Sequence, residues 1–369
     1  MIKDNLWSKN FEISNHPSFQ LIASMIDLGL GYSDISLFGE EQPVILSKYF
    51  IHYLGNNMTG GYFKENDLRK LSDMTTKLIY ESPEKVFKNH REAYDLNDQY
   101  FDCSKKCLST NLEKLNDEEL AKIYSELNIL QEKSHIHALN TTWFVDSYGA
   151  TLTNSLLDKT KEIVSFAKSK LNSAEVFTTL TTSAKNSLAI KEDLESLLIV
   201  EKILKDKKVK EIFENLKDYN EIPFEIPKSL KKDMIDHKDK WCWIPFGYFG
   251  PTYDMDYYLS IWAGLVRENA DVKTLINGIK NRPKEIDKKR KDLFKELKVS
   301  SKMQKVYDVS ADITFLKGYR KDTIYLGHYA IDYLFKEIAK RSKVKFEDIH
   351  WLTCIEIMDL LNGDIKFDY

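Results

Sequence analysis

From Asn66 onward, apolar residues recur at intervals of three and four, the period of an amphipathic helix. Leu68, Leu71, Met74, Leu78 and Ile79 form the first stripe. Leu120, Ile123, Tyr124, Leu127 and Leu130 form a second, with Asn116 and Glu119 at the two positions of a capping box. That helix is predicted to run on toward Trp143 and Phe144. Further helices are predicted over Leu152–Leu171, through KEDLESLLIVEKIL with Ser187 as its N-cap, over Lys231–Lys240, and through YYLSIWAGLVREN. Pro283 suits the first turn of PKEIDKKRKDLFKELK, which leaves Asn269–Pro283 short and mixed. The longest periodic run covers residues 300–342, through Met303, Val306, Ile313, Leu316, Ile324, Gly327, Ile331, Leu334 and Ile338. A last helix follows in FEDIHWLTCIEIMDLLNGD, with Thr353 and Glu356 as a capping box and Gly363 at the C-terminal cap.

The first 65 residues do not follow this pattern, and YNEIPFEIPKSL, residues 219–230, interrupts it as a connection with two prolines. HPSFQLIASMIDLGL makes a short helix ending at Gly29 or Gly31. PVILSKYFIHYLGNNMTGGYF reads as two β-prone runs around a Gly/Asn-rich turn, a hairpin or small sheet near Val44–Phe63. The expected fold class is mostly α, a multi-helix body with a small N-terminal β element. The expected division is an α+β portion over residues 1–110 and a helical body over residues 111–369.

Charge narrows the function classes. The 54 basic and 57 acidic residues are well mixed, so no global basic field points to nucleic acid or an anionic membrane. The strongest basic patch, KKRKDLFKELK, alternates with acids and reads as a solvated helix face. No run of about 18 apolar residues is present to span a membrane, and the N-terminus lacks the apolar core of a signal peptide. The four cysteines are read as reduced thiols of a cytoplasmic protein, since no second pair or histidine lies at zinc-ligand spacing from Cys103 and Cys107.

The densest chemistry lies in residues 236–262. Trp241, Trp243, Phe246, Tyr248, Phe249, Tyr253, Tyr257 and Tyr258 are broken up by Pro245, Gly247, Gly250 and Pro251. Such a stretch is either a packed core loop or a pocket wall, in which Trp243, Tyr248, Tyr253 and Asp254 face a ligand. His237 and Lys240 lie three apart on the preceding helix and share a face. On such a face a histidine can take a proton and a lysine can steady anionic oxygens; otherwise both serve packing or capping. Arg320 falls on an apolar stripe, so it should pair with an acid such as Asp312, Asp254 or Asp256, or hold an anion, unless the helix is phased to expose it. His135 and His137 are two apart and point to different faces of their helix, which disfavours joint metal ligation. Thr178, Thr179, Thr181, Thr182 and Ser183 form a hydroxyl-rich run ahead of a helix, an N-cap cluster or an anion cradle.

Three stretches carry a resemblance: TTLTTSAKNSLAIKEDLESLLIVEKIL, HKDKWCWIPFGYFGPTYDMDYYLSIW, and the run from Phe315 to Leu361 that contains Arg320 and the Leu352, Thr353, Glu356, Ile357 helix start. In this order they resemble the central region of phosphohistidine-relay enzymes related to phosphoenolpyruvate synthase and pyruvate phosphate dikinase, among them rifampin phosphotransferase and the glutamine kinases. In those enzymes an ATP-grasp domain phosphorylates a histidine on a swivelling domain, and a third region binds the acceptor. The resemblance implies that this chain binds a small-molecule acceptor. None of the eight histidines has the context of the swivelling histidine, and no GxxxxGK[ST] loop is present. ATP and Mg2+ are therefore expected on partner domains or subunits, with no cofactor on this chain. The alternative is a stand-alone helical binding or scaffold protein.

Overall fold

The computed structural model describes residues 7–14, 49–55, 58–248 and 250–365. The helix predicted over residues 16–30 and the first residues of the predicted hairpin lie outside them. Three antiparallel strands, β1 (Trp7–Ser14), β2 (Tyr49–Gly55) and β3 (Met58–Lys64), form one sheet with β3 in the centre. β2 and β3 are the predicted hairpin, and β1 adds an edge that the reading of the sequence did not include. Phe63 carries the sheet onto the helical body, meeting Trp143 and Phe144 edge-on at 6.3 and 5.6 Å.

Fourteen α-helices follow among the described residues. They are α1 (Glu65–Glu81), α2 (Pro83–Ser109), α3 (Asp117–Ile136), α4 (Leu139–Thr142), α5 (Thr151–Phe166), α6 (Ser173–Thr181), α7 (Leu188–Lys205) and α8 (Lys207–Asn215). They continue as α9 (Lys228–Trp241), α10 (Met255–Arg267), α11 (Val272–Glu296), α12 (Ser301–Ser342), α13 (Phe346–Ile349) and α14 (Cys354–Asn362). The protein is mostly α with a small N-terminal β element.

α12 organises the body. Its 42 residues reach about 63 Å at the α-helical rise. Such a length is held by packing, because each third of the helix has different neighbours. Val306, Tyr307 and Val309 meet Leu152, Leu156 and Phe294. Leu316 meets Ala93 and Ala138. From Ala330 to Ala339 the core is shared with Tyr100, Leu120, Tyr124, Ile349 and Ile357. Burying one such aliphatic or aromatic side chain contributes about 1.5–3 kcal/mol. Ser300 caps the start, and Lys343, at φ 59°, ends the helix in the left-handed region.

α2 runs parallel to α12: Glu84 meets Lys305, His90 meets Asp312, Asn97 meets Thr323 and Thr110 meets Tyr333. α3 returns antiparallel, with Gln131 at His328 and Asp117 at Arg341. A boundary at residue 110 therefore separates α2 from the helix it packs along. Gly327 lets α2 and α12 close together, since a Cβ there would lie 1.9 Å from the Tyr100 hydroxyl.

Four predicted caps are present: the Asn116–Glu119 and Thr353–Glu356 boxes, Ser187 and Gly363. Three predicted helix bounds are corrected. α3 stops at Ile136 rather than running toward Trp143, because Ala138 adopts φ 63°. α5 ends at Phe166 rather than Leu171, with Lys168 at φ 51°. Pro283 lies inside α11, not in its first turn. A proline there leaves the carbonyl four residues back without its donor. That carbonyl, Ile279 O, accepts from Asn186 Nδ2 at 3.4 Å, so a distant side chain makes the proline tolerable.

Candidate functional site

The stretch from Trp241 to Asp254 begins as the end of α9 and ends as the start of α10. Gly247 and Gly250, at φ 59° and 90°, permit its turns. Trp241, Trp243 and Phe246 are buried and pack with Leu188 and Leu326. Trp243 donates its indole N–H to the Lys240 carbonyl at 2.8 Å and is 3% exposed, so it is core rather than pocket lining. Tyr248 lies against α12. Its ring meets Tyr325 and His328 edge-on at 5.6 and 5.7 Å.

Arg320 lies beside Tyr248 and is 8% exposed. Its expected carboxylate partners are all elsewhere. Asp312 is engaged by His90, Tyr94 and Lys185. Asp254 and Asp256 are exposed. Among the described residues no carboxylate pairs with the guanidinium, and no acceptor reaches its buried Nε. Burial pushes its pKa down, opposed by the neighbouring Tyr248 phenol. Lys321, exposed on the next position of α12, is a second cation near the Tyr248 phenol. His328 is buried, which pushes its pKa down to about 4 and keeps it neutral. Its Nε2 meets Gln131 Nε2 at 3.2 Å, and the ring has a backbone hydrogen bond to Tyr248. Thr323 donates to Asn97 Oδ1 at 2.6 Å one turn along. A buried guanidinium with no counter-charge among the described residues is costly, because an unpaired buried charge costs several kcal/mol.

His237 and Lys240 form a separate group. Their three-residue spacing matches that of Glu192 and Glu195 on α7. His237 Nε2 meets Glu192 Oε1 at 2.9 Å, and Lys240 Nζ donates to Glu195 Oε1 at 2.6 Å. Trp241 Nε1 adds a bond to Glu195 Oε2 at 2.7 Å. Burial would raise the Glu195 pKa, but the Lys240 and Trp241 hydrogen bonds outweigh it and hold the group below the ordinary value. His237 is packed against Tyr258 and Trp262 at 5.0 and 5.8 Å. Its Nδ1 is buried and, like the Tyr258 hydroxyl, has no partner among the described residues. Tyr253 reaches the same group, stacked on Tyr257 at 3.6 Å and edge-on to Tyr258 at 5.9 Å. The fold thus joins Arg320 to Tyr248, and His237 to Tyr253. Among the described residues no hydrogen bond, ion pair or ring contact joins the two groups. Asp254 stands at the N-cap of α10 without a side-chain capping bond.

A third cluster was not read from the sequence. Asp312 receives His90 Nδ1 at 2.8 Å, Tyr94 Oη at 2.9 Å and Lys185 Nζ at 2.9 Å, while His90 Nε2 meets Thr141 Oγ1 at 2.9 Å. The Thr–His–Asp order has the connectivity of a hydrolytic triad. Thr141 is fully buried, however, and sits within reach of the Ala138 carbonyl at 2.9 Å, so its hydroxyl is no accessible nucleophile. Burial alone would raise the Asp312 pKa, but the bonds from His90 and Lys185 hold it at about 2. A carboxyl depressed in the folded state stabilises the fold above its unfolded pKa, and that stabilisation is lost as pH falls through the folded value. From about 3.9 to about 2 the contribution is about 2–3 kcal/mol. The thermal midpoint of the wild type should therefore fall more steeply from pH 4 to pH 2 than that of Asp312→Asn; parallel curves would remove Asp312 from the acid transition.

The remaining expectations resolve locally. Thr179, Thr181 and Thr182 donate to the carbonyls four residues before them, at the end of α6, so the hydroxyl run caps no following helix. Burial pushes the thiols of Cys103 and Cys107 up to about 11 and 12, away from thiolate chemistry. Among the described residues no group of three His, Cys, Asp or Glu side chains is placed to hold a metal, and no helix is long and apolar enough to cross a membrane. No protein-family model matches the chain, and no curated protein matches it at a significant level.

Proposed function

We propose that this chain binds an anionic small molecule at Arg320, beside Tyr248, as the acceptor-binding part of a phosphoryl-relay system. ATP and Mg2+ belong to a separate ATP-grasp domain, and a phosphohistidine on another domain or subunit delivers the phosphoryl group. The observation that carries the reading is the buried Arg320 guanidinium with no carboxylate partner among the described residues. Catalysis on this side rests on positioning and charge stabilisation.

A second reading, a stand-alone binding protein, draws on a different observation. Lys240 is held by Glu195, and the His237 nitrogen that Glu192 leaves over is buried, so neither side chain is presented to an incoming phosphoryl group. Both readings need the same first test. Inorganic phosphate and acetate are titrated by calorimetry against the wild type and Arg320→Gln. Saturable binding of either anion by the wild type alone supports the Arg320 site, and equal heats for the two proteins overturn it. Label transfer from γ-labelled ATP to the bound molecule, only when ATP-grasp and histidine-carrying proteins are added, then separates the relay from the stand-alone reading.

A further inference from the structure

The segment between α6 and α7, residues 182–187, lies as a strap tied to other parts of the fold. Arg282 holds it from α11, donating to the Ser183 carbonyl at 3.4 Å, the Lys185 carbonyl at 3.3 Å and Asn186 Oδ1 at 3.2 Å. Lys185 extends from the strap toward α2 and α12. Its ammonium lies 4.2 Å from the centre of the Tyr94 ring and 4.9 Å from that of Phe315. It donates to Asp312 Oδ1 at 2.9 Å and to the Tyr94 hydroxyl at 3.1 Å.

We infer that Tyr94, Phe315 and Asp312 form a receptor site for a primary ammonium group, occupied in this structure by the chain's own Lys185. The walls stand independently of the occupant. Tyr94 and Phe315 project from two long helices, with ring centres 6.1 Å apart, and Tyr319 stacks behind Phe315 at 5.9 Å. Asp312 is fixed from its far side by His90, and Tyr94 donates its proton to Asp312, which leaves the phenol lone pairs for the ammonium. The occupant, by contrast, comes from a connector, and its side chain is 52% exposed. Ring faces and a carboxylate together attract a cation. The two oxygens at hydrogen-bond distance select one that carries N–H donors. A quaternary ammonium, with methyl groups in the way, cannot approach so closely. The ligand class is thus a primary alkylammonium, such as an amine metabolite or a partner's lysine, which enters when Lys185 withdraws.

The test uses the full chain with Lys185→Ala, which empties the cage and keeps its walls. n-Butylammonium should raise the thermal midpoint of Lys185→Ala saturably. Tetramethylammonium at equal ionic strength should not, and adding Asp312→Asn should abolish the response. No saturable rise, or an equal rise with tetramethylammonium, overturns the inference. Hydrogen exchange on the wild type gives an answer that does not depend on the variant folding. With butylammonium above the millimolar effective concentration of a tethered group, amides of residues 183–187 should exchange faster, and tetramethylammonium should leave them unchanged. Exchange that is identical with the two ions also overturns the inference.

Discussion

Arg320→Met is expected to make the anion-free protein more stable while removing its response to phosphate or acetate. Methionine is close to the arginine stem in length, fills irregular apolar space and carries no charge to desolvate. Arg320 lies on the face of α12 that packs on α2, and its Nε has no acceptor among the described residues. Replacing a buried charge with a well-packed apolar side chain gains about 1–4 kcal/mol in favourable cases. A rise in the urea midpoint at low ionic strength, together with loss of anion-dependent stabilisation, would mark Arg320 as kept for binding at the expense of stability. A fall in the midpoint would mean that the fold itself satisfies the guanidinium, and the anion site would be withdrawn.

Gly327→Ala should act in the opposite direction. In an unobstructed helix the change gains up to about 1 kcal/mol from backbone propensity. Here the added Cβ would lie 1.9 Å from the Tyr100 hydroxyl and 2.1 Å from the ring carbon that bears it. Tyr100 is fully buried, and its hydroxyl meets Gln131 Oε1 at 3.3 Å, so the ring has nowhere to retreat. Overpacking of this kind costs about 1–3 kcal/mol. The expected result is a lower urea midpoint, partly restored when Tyr100→Leu is added, because the larger clash partner is then gone. Additive losses in the double variant would show that the two helices do not meet at this pair. The same close approach sets Asn97 against Thr323, one turn from Arg320, so Gly327→Ala should also weaken anion binding.

Much of the helical fold was legible because its signals are local. The Asn116, Ser187 and Thr353 caps each act within three residues, and Gly363 ends α14 with a positive φ that glycine adopts without cost. The stripe from Met303 to Ile338 was visible as periodicity, and so was the anomaly of Arg320 within it. The failures share a cause. Pro283 reads as a helix start until Asn186, 93 positions earlier, supplies the donor that Ile279 lacks. His237 and Lys240 read equally as a catalytic pair or as packing and capping residues, and their partners Glu192 and Glu195 come from α7, 45 positions earlier. Asp312 looked available to Arg320, but it lies two turns away along α12 and is engaged by His90 from α2 and Lys185 from the strap.

The helical class, most of the caps, the central run of α12 and the presence of a charged residue on a buried face are written in local sequence, because periodicity and capping act over a few residues of one chain segment. Which charges are paired is a matter of how the helices come together. Pairing depends on side chains tens to hundreds of positions apart, and no local pattern records whether a glutamate, another acid or nothing at all comes to face a buried cation. That is why His237 and Lys240 gained partners, Lys185 entered a cage, and Arg320 was left with its charge uncompensated by any described residue.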